Sequence, residues 1–366
     1  MTDRPSDVKS ILAGVPYVES PLFESILPHL ELSDYEVTIA RQLYDRGFAV
    51  IDFPDCDFDE RAERIKIDLT PRFSVDLADP ASIKATGDQR LQDAWEYQDD
   101  VRALACNEAI LELLTKLYGR RAIPFQTLNF PVGTQQTMHS DAAHFSSIPE
   151  RFMCGVWVAL EDISPHAGPL VYCPGSHAWP IITNGMIGRS GWRTQLHSAQ
   201  APFEKAWQAQ IDVHGAATET FAARKGQALI WAANLLHGGS RQEDPTITRW
   251  SQVTHYYFDD CIYYTPAFSD EALGRLDLRT ITDLSTQKVL ASQFQGASLD
   301  RRDTRSGVSS SHWWRRLTRL LHADTGVDGW DPSTYLALNP DVAAAGEDPL
   351  EHFKKHGRAE GRRWQI

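Results

Sequence analysis

The chain has 366 residues, 42% of them apolar and 23% charged, with 49 acidic against 36 basic residues for a formal net charge of -13. This is ordinary usage for a soluble protein, long enough for one large domain with appendages, and no run approaches the roughly 18 apolar residues of a membrane span. The acidic balance argues against generic affinity for nucleic acid, and five scattered cysteines without a Cys-x-x-Cys pair argue against a disulfide framework or a zinc cage.

Met1–Ser10 is polar and lacks the apolar core of a secretion signal, so a cytoplasmic location is expected. Residues 1–30 have no clear period and several prolines, and read as an arm lying over the main domain. Ser33 and Glu36 then form a capping-box pattern ahead of Val37, Ala40, Leu43 and Tyr44 at helical spacing. Gly47 ends that helix, and Phe48–Phe53, stopped by Pro54, reads as the first strand. Residues 55–98 show no readable period. A second helix is expected from about Asp100 to Tyr118, with Val101, Leu104, Ile110, Leu113, Leu114 and Leu117 as its core face.

Strand signals follow at Phe125–Phe130, Arg151–Leu160, Gly168–Cys173, Gly226–Trp231 and Arg249–Phe258, punctuated by Gly/Pro turns. The apolar run in Arg151–Leu160 suits a strand buried on both faces, and the whole suggests a sandwich, jelly roll or barrel. Residues 178–224, with Trp192 and Trp207, are too long for a plain connection and read as a lid or substrate wall shaping specificity. Beyond the main domain, 31–268, the strand signal fades. Residues 269–325 read as a helical linker containing a joint at Ser306–Ser310 and a basic amphipathic helix at Ser311–His322. In 326–366, Asp331-Pro332, Asn339-Pro340 and Asp348-Pro349 each place a capping residue before a first-turn proline, the mark of a small helical module.

The chemistry concentrates at Thr137-Met-His-Ser-Asp141. On a strand, His139 and Asp141 would share a face and could close on one ion, with His237, at the end of a later apolar run, as third ligand. Two histidines and a carboxylate with open positions are what non-haem Fe(II) oxygenases use. One such histidine alone is commonly a satisfied structural residue; the constellation is what carries the reading. Arg249, with Ser251 two further on, has the chemistry to hold a carboxylate-bearing cosubstrate.

His139-Ser140-Asp141, the segment Gly168–His177, Leu235-Leu-His-Gly-Gly239 and Arg249-Trp-Ser251 together resemble the phytanoyl-CoA dioxygenase family over roughly residues 31–265. The resemblance implies a mainly β protein with flanking helices, a double-stranded β-helix (jelly roll, cupin-like) using Fe(II), 2-oxoglutarate and O2. It implies iron ligation by His139, Asp141 and His237, and pairing of Arg249 with the distal carboxylate of 2-oxoglutarate. Ser251, Trp157, Gln126, Asn129 and Thr137 are the further cosubstrate contacts expected. The implied reaction hydroxylates an unactivated C–H bond of a small molecule, with succinate and CO2 as co-products. A carboxylate at 141 fills the place that a halide takes in related halogenases, which favours hydroxylation over chlorination.

His144 and His166 have no partner at ligand spacing and His177 belongs to a turn motif, so no role is expected for them. Because ligand histidines must be neutral, metal affinity is expected to fall below about pH 6.5. The rival reading is a catalytically inactive scaffold. In it the C-terminal helices recruit a protein or glycan partner, since Tyr335–Val342 and His356–Gly361 resemble a short repeat of bacterial proteins linked to surface glycans. An intact triad with Arg249 favours the enzyme.

Overall fold

Ser33 opens the first long helix, Asp34–Arg46, through the capping box legible in the sequence: its hydroxyl accepts from Glu36 N while the Glu36 carboxylate accepts from Ser33 N. Gly47, at φ 79°, ends the helix and turns the chain into β1 (Phe48–Asp52). The computed structural model describes residues 8–73, 76, 79–85, 89–192, 199–298, 332–345, 349–357, 359–360 and 362–363. It divides into two units, Met1–Ser298 and Leu299–Ile366.

In the first unit, β1 is the edge of a six-stranded antiparallel sheet of order β1-β8-β5-β10-β3-β2. The other members are β2 (Leu91–Gln92), β3 (Ala122–Phe130), β5 (Met153–Ala159), β8 (Gln227–Ala232) and β10 (Ser251–Phe258). Between them in sequence lie β4 (Ser146–Ile148), which pairs with β11 (Ile262–Tyr264), and the small sheet β7-β6-β9. That sheet is made of β6 (Leu170–Tyr172), β7 (Glu219–Phe221) and β9 (His237–Gly239). Large and small sheets together form the double-stranded β-helix, mainly β with helices on its flank.

All seven residues of β5 are buried, which is why this strand is apolar throughout rather than alternating. Its Val156 and Val158 join the main core beneath helices Asp34–Arg46, Phe58–Leu69 and Glu108–Tyr118, with Leu43, Ile65 and Leu114 among the packed side chains. Its Trp157 turns to the opposite face, into a second cluster with Leu229, Trp231 and Val253. The helical layer seals one face of the sheet and leaves the other to face the small sheet. Val18, Phe23 and Leu27 from the N-terminal turns are part of the main core.

The structure corrects several expectations. The single helix from Asp100 to Tyr118 is two, Asp99–Ala105 and Glu108–Tyr118. Asn107 breaks it, because its side chain accepts from Ile110 N and starts a new helix. Phe58–Leu69, in the stretch that showed no period, is helical. Residues 269–298, expected to open a helical linker, hold β12 (Ile281–Asp283) paired with β13 (Lys288–Leu290). Ile281 is in the main core and the Asp283 carboxylate meets Arg121 Nη1 at 3.1 Å. Strands of three residues are too short to show a period. The expected joint Ser306–Ser310 and helix Ser311–His322 lie outside the described residues.

The expected lid carries the helix Glu204–His214, whose Trp207 packs with Phe203, Ile211, Cys173 and Leu236 in a small core of its own. Trp207 is therefore a structural anchor of that segment and does not line the cavity. In the second unit, helices Pro332–Leu338, Pro340–Ala345 and Pro349–His352 each begin on proline, and Tyr335, Val342 and Phe353 pack together. Among the described residues no helix is long and apolar enough to cross a membrane.

Gly155 stands opposite Trp231 in the β5–β8 register, and a Cβ there would lie 2.1 Å from Trp231 Cζ2. Gly155→Ala is expected to displace the indole and lower stability by about 1–3 kcal/mol. A chemical-denaturation midpoint equal to that of the unaltered chain would contradict this packing.

Candidate active site

His139 and His237 meet across an antiparallel bridge: His139 N donates to His237 O at 2.9 Å and His237 N to His139 O at 3.0 Å. Directly opposed residues in such a pair point to the same face, and the two rings lie 4.3 Å apart. Gly238 allows the close approach, since a Cβ there would lie 2.5 Å from the Gln136 carbonyl oxygen. Past His139 the chain does not continue as a strand. Asp141 opens a 3-10 turn, Asp141–Ala143, capped by the Ser140 hydroxyl, so a turn rather than the expected strand alternation swings the carboxylate toward the imidazoles. One ligand atom from each of His139, Asp141 and His237 lies within 4.8 Å of the others, a set able to bind iron.

Each histidine is oriented from behind. His139 Nδ1–H donates to Thr137 O at 3.0 Å and His237 Nδ1–H to Leu235 O at 2.9 Å. A carbonyl can only accept, so each Nε2 carries a lone pair that an ion can take, that of His139 lying 3.3 Å from the Gln136 amide nitrogen. The Nε2 atoms stand 3.7 and 3.8 Å from the Asp141 carboxylate oxygens, and Trp231 Nε1–H donates to Asp141 Oδ2 at 2.9 Å. Burial pushes the Asp141 pKa up, but His237, His255, His139 and the indole N–H outweigh it and hold the carboxyl at about 2. Burial, reinforced by His237, drops His139 to about 3. His139 is thus neutral far below pH 6.5, which removes it as the cause of the acid limit expected from the sequence.

The site opens into a cavity of about 780 Å³. At one side lies Arg249, fully enclosed, its pKa lowered to about 10 by burial. Its Nε and Nη1 have no partner among the described residues, and neither do Trp157 Nε1 and Ser251 Oγ. The guanidinium carbon lies 5.9 Å from the Trp157 ring centroid, within cation–π range. Orphaned buried polar groups cost about 1–3 kcal/mol each, and a carboxylate is the chemical group that would relieve a cation together with two neutral donors. The donor set thus fits iron, and the orphaned cluster fits a cosubstrate with a free carboxylate such as 2-oxoglutarate.

The structure separates the expected contacts. Arg249, Ser251 and Val253 occupy alternate positions and share a face, and Trp157 and Gln126 line the cavity with Arg249. Asn129 does not: it is buried on the opposite face, donating to Gln252 Oε1 at 3.2 Å. Gln126 and Asn129 are three positions apart on β3, and an odd separation puts two side chains on opposite faces. The Thr137 hydroxyl is engaged with the lid segment, donating to Glu204 Oε1 and accepting from Gln200 Nε2. His177 is structural, its ring bonded to Tyr44 O, and His166 is exposed beside Glu243.

His144 and His255 line the cavity although no role was expected for either. His255 is enclosed and lowered to about 4 by burial, and its Nε2 lies 3.7 Å from Asp141 Oδ2. The available signal was parity: position 255 is four beyond Ser251 on β10 and must face the same way.

Because burial lowers His139, His144 and His255 in the fold while exposed histidines titrate near 6.5, the unfolded chain binds protons first as pH drops. Stability of the metal-free chain is expected to be fully present above about pH 6.5 and to decline toward pH 3 as His139 is lost. Melting temperatures between pH 7.5 and 4.5 test this; a decline no steeper in the unaltered chain than in His139→Gln would contradict it.

The family model described as phytanoyl-CoA dioxygenase (PhyH) matches residues 31–243. Among curated proteins, none matches the chain. Among solved structures, the epimerase SnoN in complex with Fe3+, alpha ketoglutarate and nogalamycin RO is 18% identical, covering 73% of this chain and 96% of its own at a TM-score of 0.48. The alpha ketoglutarate dependent carbocyclase SnoK from nogalamycin biosynthesis is 17% identical, covering 68% and 94% at 0.48. EctD from S. alaskensis, with 2-oxoglutarate and 5-hydroxyectoine, is 18% identical, covering 66% and 80% at 0.46. By the family match over more than half its length, this chain belongs to the phytanoyl-CoA dioxygenase family of iron- and 2-oxoglutarate-dependent oxygenases.

Proposed function

We propose that the chain is a cytoplasmic Fe(II)- and 2-oxoglutarate-dependent dioxygenase that hydroxylates an unactivated C–H bond of a small molecule, with succinate and CO2 as co-products. The observation that carries this reading is one cavity holding both a His-Asp-His donor set and an enclosed guanidinium without a partner among the described residues. A scaffold has no use for that combination, since an uncompensated buried cation only destabilises.

In this reading His139 and His237 donate through Nε2, their tautomers fixed by the Thr137 and Leu235 carbonyls. Asp141 supplies the third ligand, with Trp231 holding its Oδ2. Arg249 grips the distal carboxylate of 2-oxoglutarate, and Ser251 and Trp157 add neutral donors. When bound, iron with 2-oxoglutarate and dioxygen supplies the oxidising power for the C–H bond. Leu229, Val253 and Trp157 wall that end of the cavity and keep water from the Arg249 ion pair. To the second unit, which packs Tyr335, Val342 and Phe353 into its own small core, we assign recruitment of a protein or glycan partner.

Asp141→Ala is expected to abolish succinate formation and to weaken the visible absorption that appears when Fe(II) and 2-oxoglutarate are added anaerobically; full activity would overturn the ligand assignment. Arg249→Ala is expected to weaken 2-oxoglutarate binding by about 2–5 kcal/mol, read from the same titration, and an unchanged midpoint would move the cosubstrate elsewhere.

A further inference from the structure

The cavity wall carries a polar pair that the ligand set does not use. His255 on β10 and Gln126 on β3 are directly paired in register, and His255 Nδ1 lies 2.9 Å from Gln126 Oε1. An amide oxygen can only accept, so His255 carries its proton on Nδ1 and turns Nε2 to the cavity as an acceptor, beside Asp141 Oδ2. With Oε1 engaged, the Gln126 amide N–H groups are donors without a partner among the described residues. The wall therefore offers an acceptor and a donor next to each other, close to the carboxylate of the metal set.

The surroundings restrict what can meet them. Asp141 is the sole acidic side chain lining the cavity among the described residues, so no carboxylate is free to hold a substrate ammonium. Side-chain amides of Gln92, Gln135, Gln136 and Gln200 extend the polar lining, and the Phe145 ring, 4.9 Å from that of His255, supplies an apolar wall. An alkyl or acyl chain in this place would strip water from the His255 Nε2 and the Gln126 amide and return no hydrogen bond. A hydroxyl group donates to the first and accepts from the second, and the C–H faces of a polyol ring suit an aromatic wall.

Building on the proposed function, we propose that His255 and Gln126 bind a hydroxyl of the substrate next to the metal site, and that the substrate class is a polyhydroxylated small molecule rather than an acyl thioester. A site built to hydrogen-bond a hydroxyl rejects the analogue lacking it by several orders of magnitude.

The test is substrate-stimulated succinate formation by the iron-loaded full chain, with methyl glycosides, their monodeoxy counterparts, an acetyl amino-acid amide and decanoyl-CoA as probes. Expected is stimulation by a glycoside, a loss of about 100-fold or more in kcat/KM when one hydroxyl is removed, and no further loss for the deoxy probe in His255→Leu or Gln126→Leu. His255→Gln, which keeps an acceptor, should recover part of the activity. The anaerobic Fe(II)·2-oxoglutarate absorption is expected unchanged in His255→Leu and His255→Gln, which also shows them folded; a shifted 2-oxoglutarate midpoint in Gln126→Leu would return Gln126 to the cosubstrate and overturn its part in the inference. Stimulation by decanoyl-CoA or the amide, by none of the glycosides, or equally by hydroxylated and deoxy probes overturns the inference. Absence of the absorption in the unaltered chain overturns the proposed function instead.

Discussion

Two backbone hydrogen bonds hold the site together: the reciprocal pair between His139 and His237. They join the segment before the 3-10 turn to the small sheet, and the approach of the candidate ligands to one another depends on that closure. The bridge sets both imidazoles on one face, and the absence of a side chain at Gly238 lets the two backbones meet. A side chain there would press on the Gln136 carbonyl and separate the histidines before any question of metal affinity arose.

Asp141 shows how the large sheet serves the same centre. Its carboxylate is enclosed, a costly place for an anion, and the surrounding N–H and imidazole groups compensate. The indole of Trp231 reaches it from β8 because the facing position on β5 is glycine. The constraint runs from a missing side chain at 155, through an aromatic ring, to the orientation of a carboxylate.

The segment 199–214 is tied to this centre by side chains. Gln136 Nε2 donates to Gln200 Oε1 at 2.8 Å and lies 3.3 Å from His139 Nε2, while Thr137 is bonded to both Gln200 and Glu204. The residues flanking the first histidine thus anchor the helix Glu204–His214, with Trp207 holding that helix to its own small core.

Much was legible in the sequence. The capping box at Ser33, the wholly apolar β5, the proline-led C-terminal helices, the three candidate ligands and Arg249 all rest on local signals: a hydrogen bond between near neighbours, a period, or a residue type that chemistry demands. Other features were decided only in three dimensions. Asn107 splits a helix because its cap outweighs the continuing apolar period; β12 and β13 exist because Ile281 finds the main core. Asn129 turns away while His255 turns in, because alternation along a strand acquires a direction only when a second sheet defines the inside. The sequence by itself determined which groups could do the chemistry. The tertiary structure decided which of them face the same cavity, since facing is a relation between strands that no one strand contains.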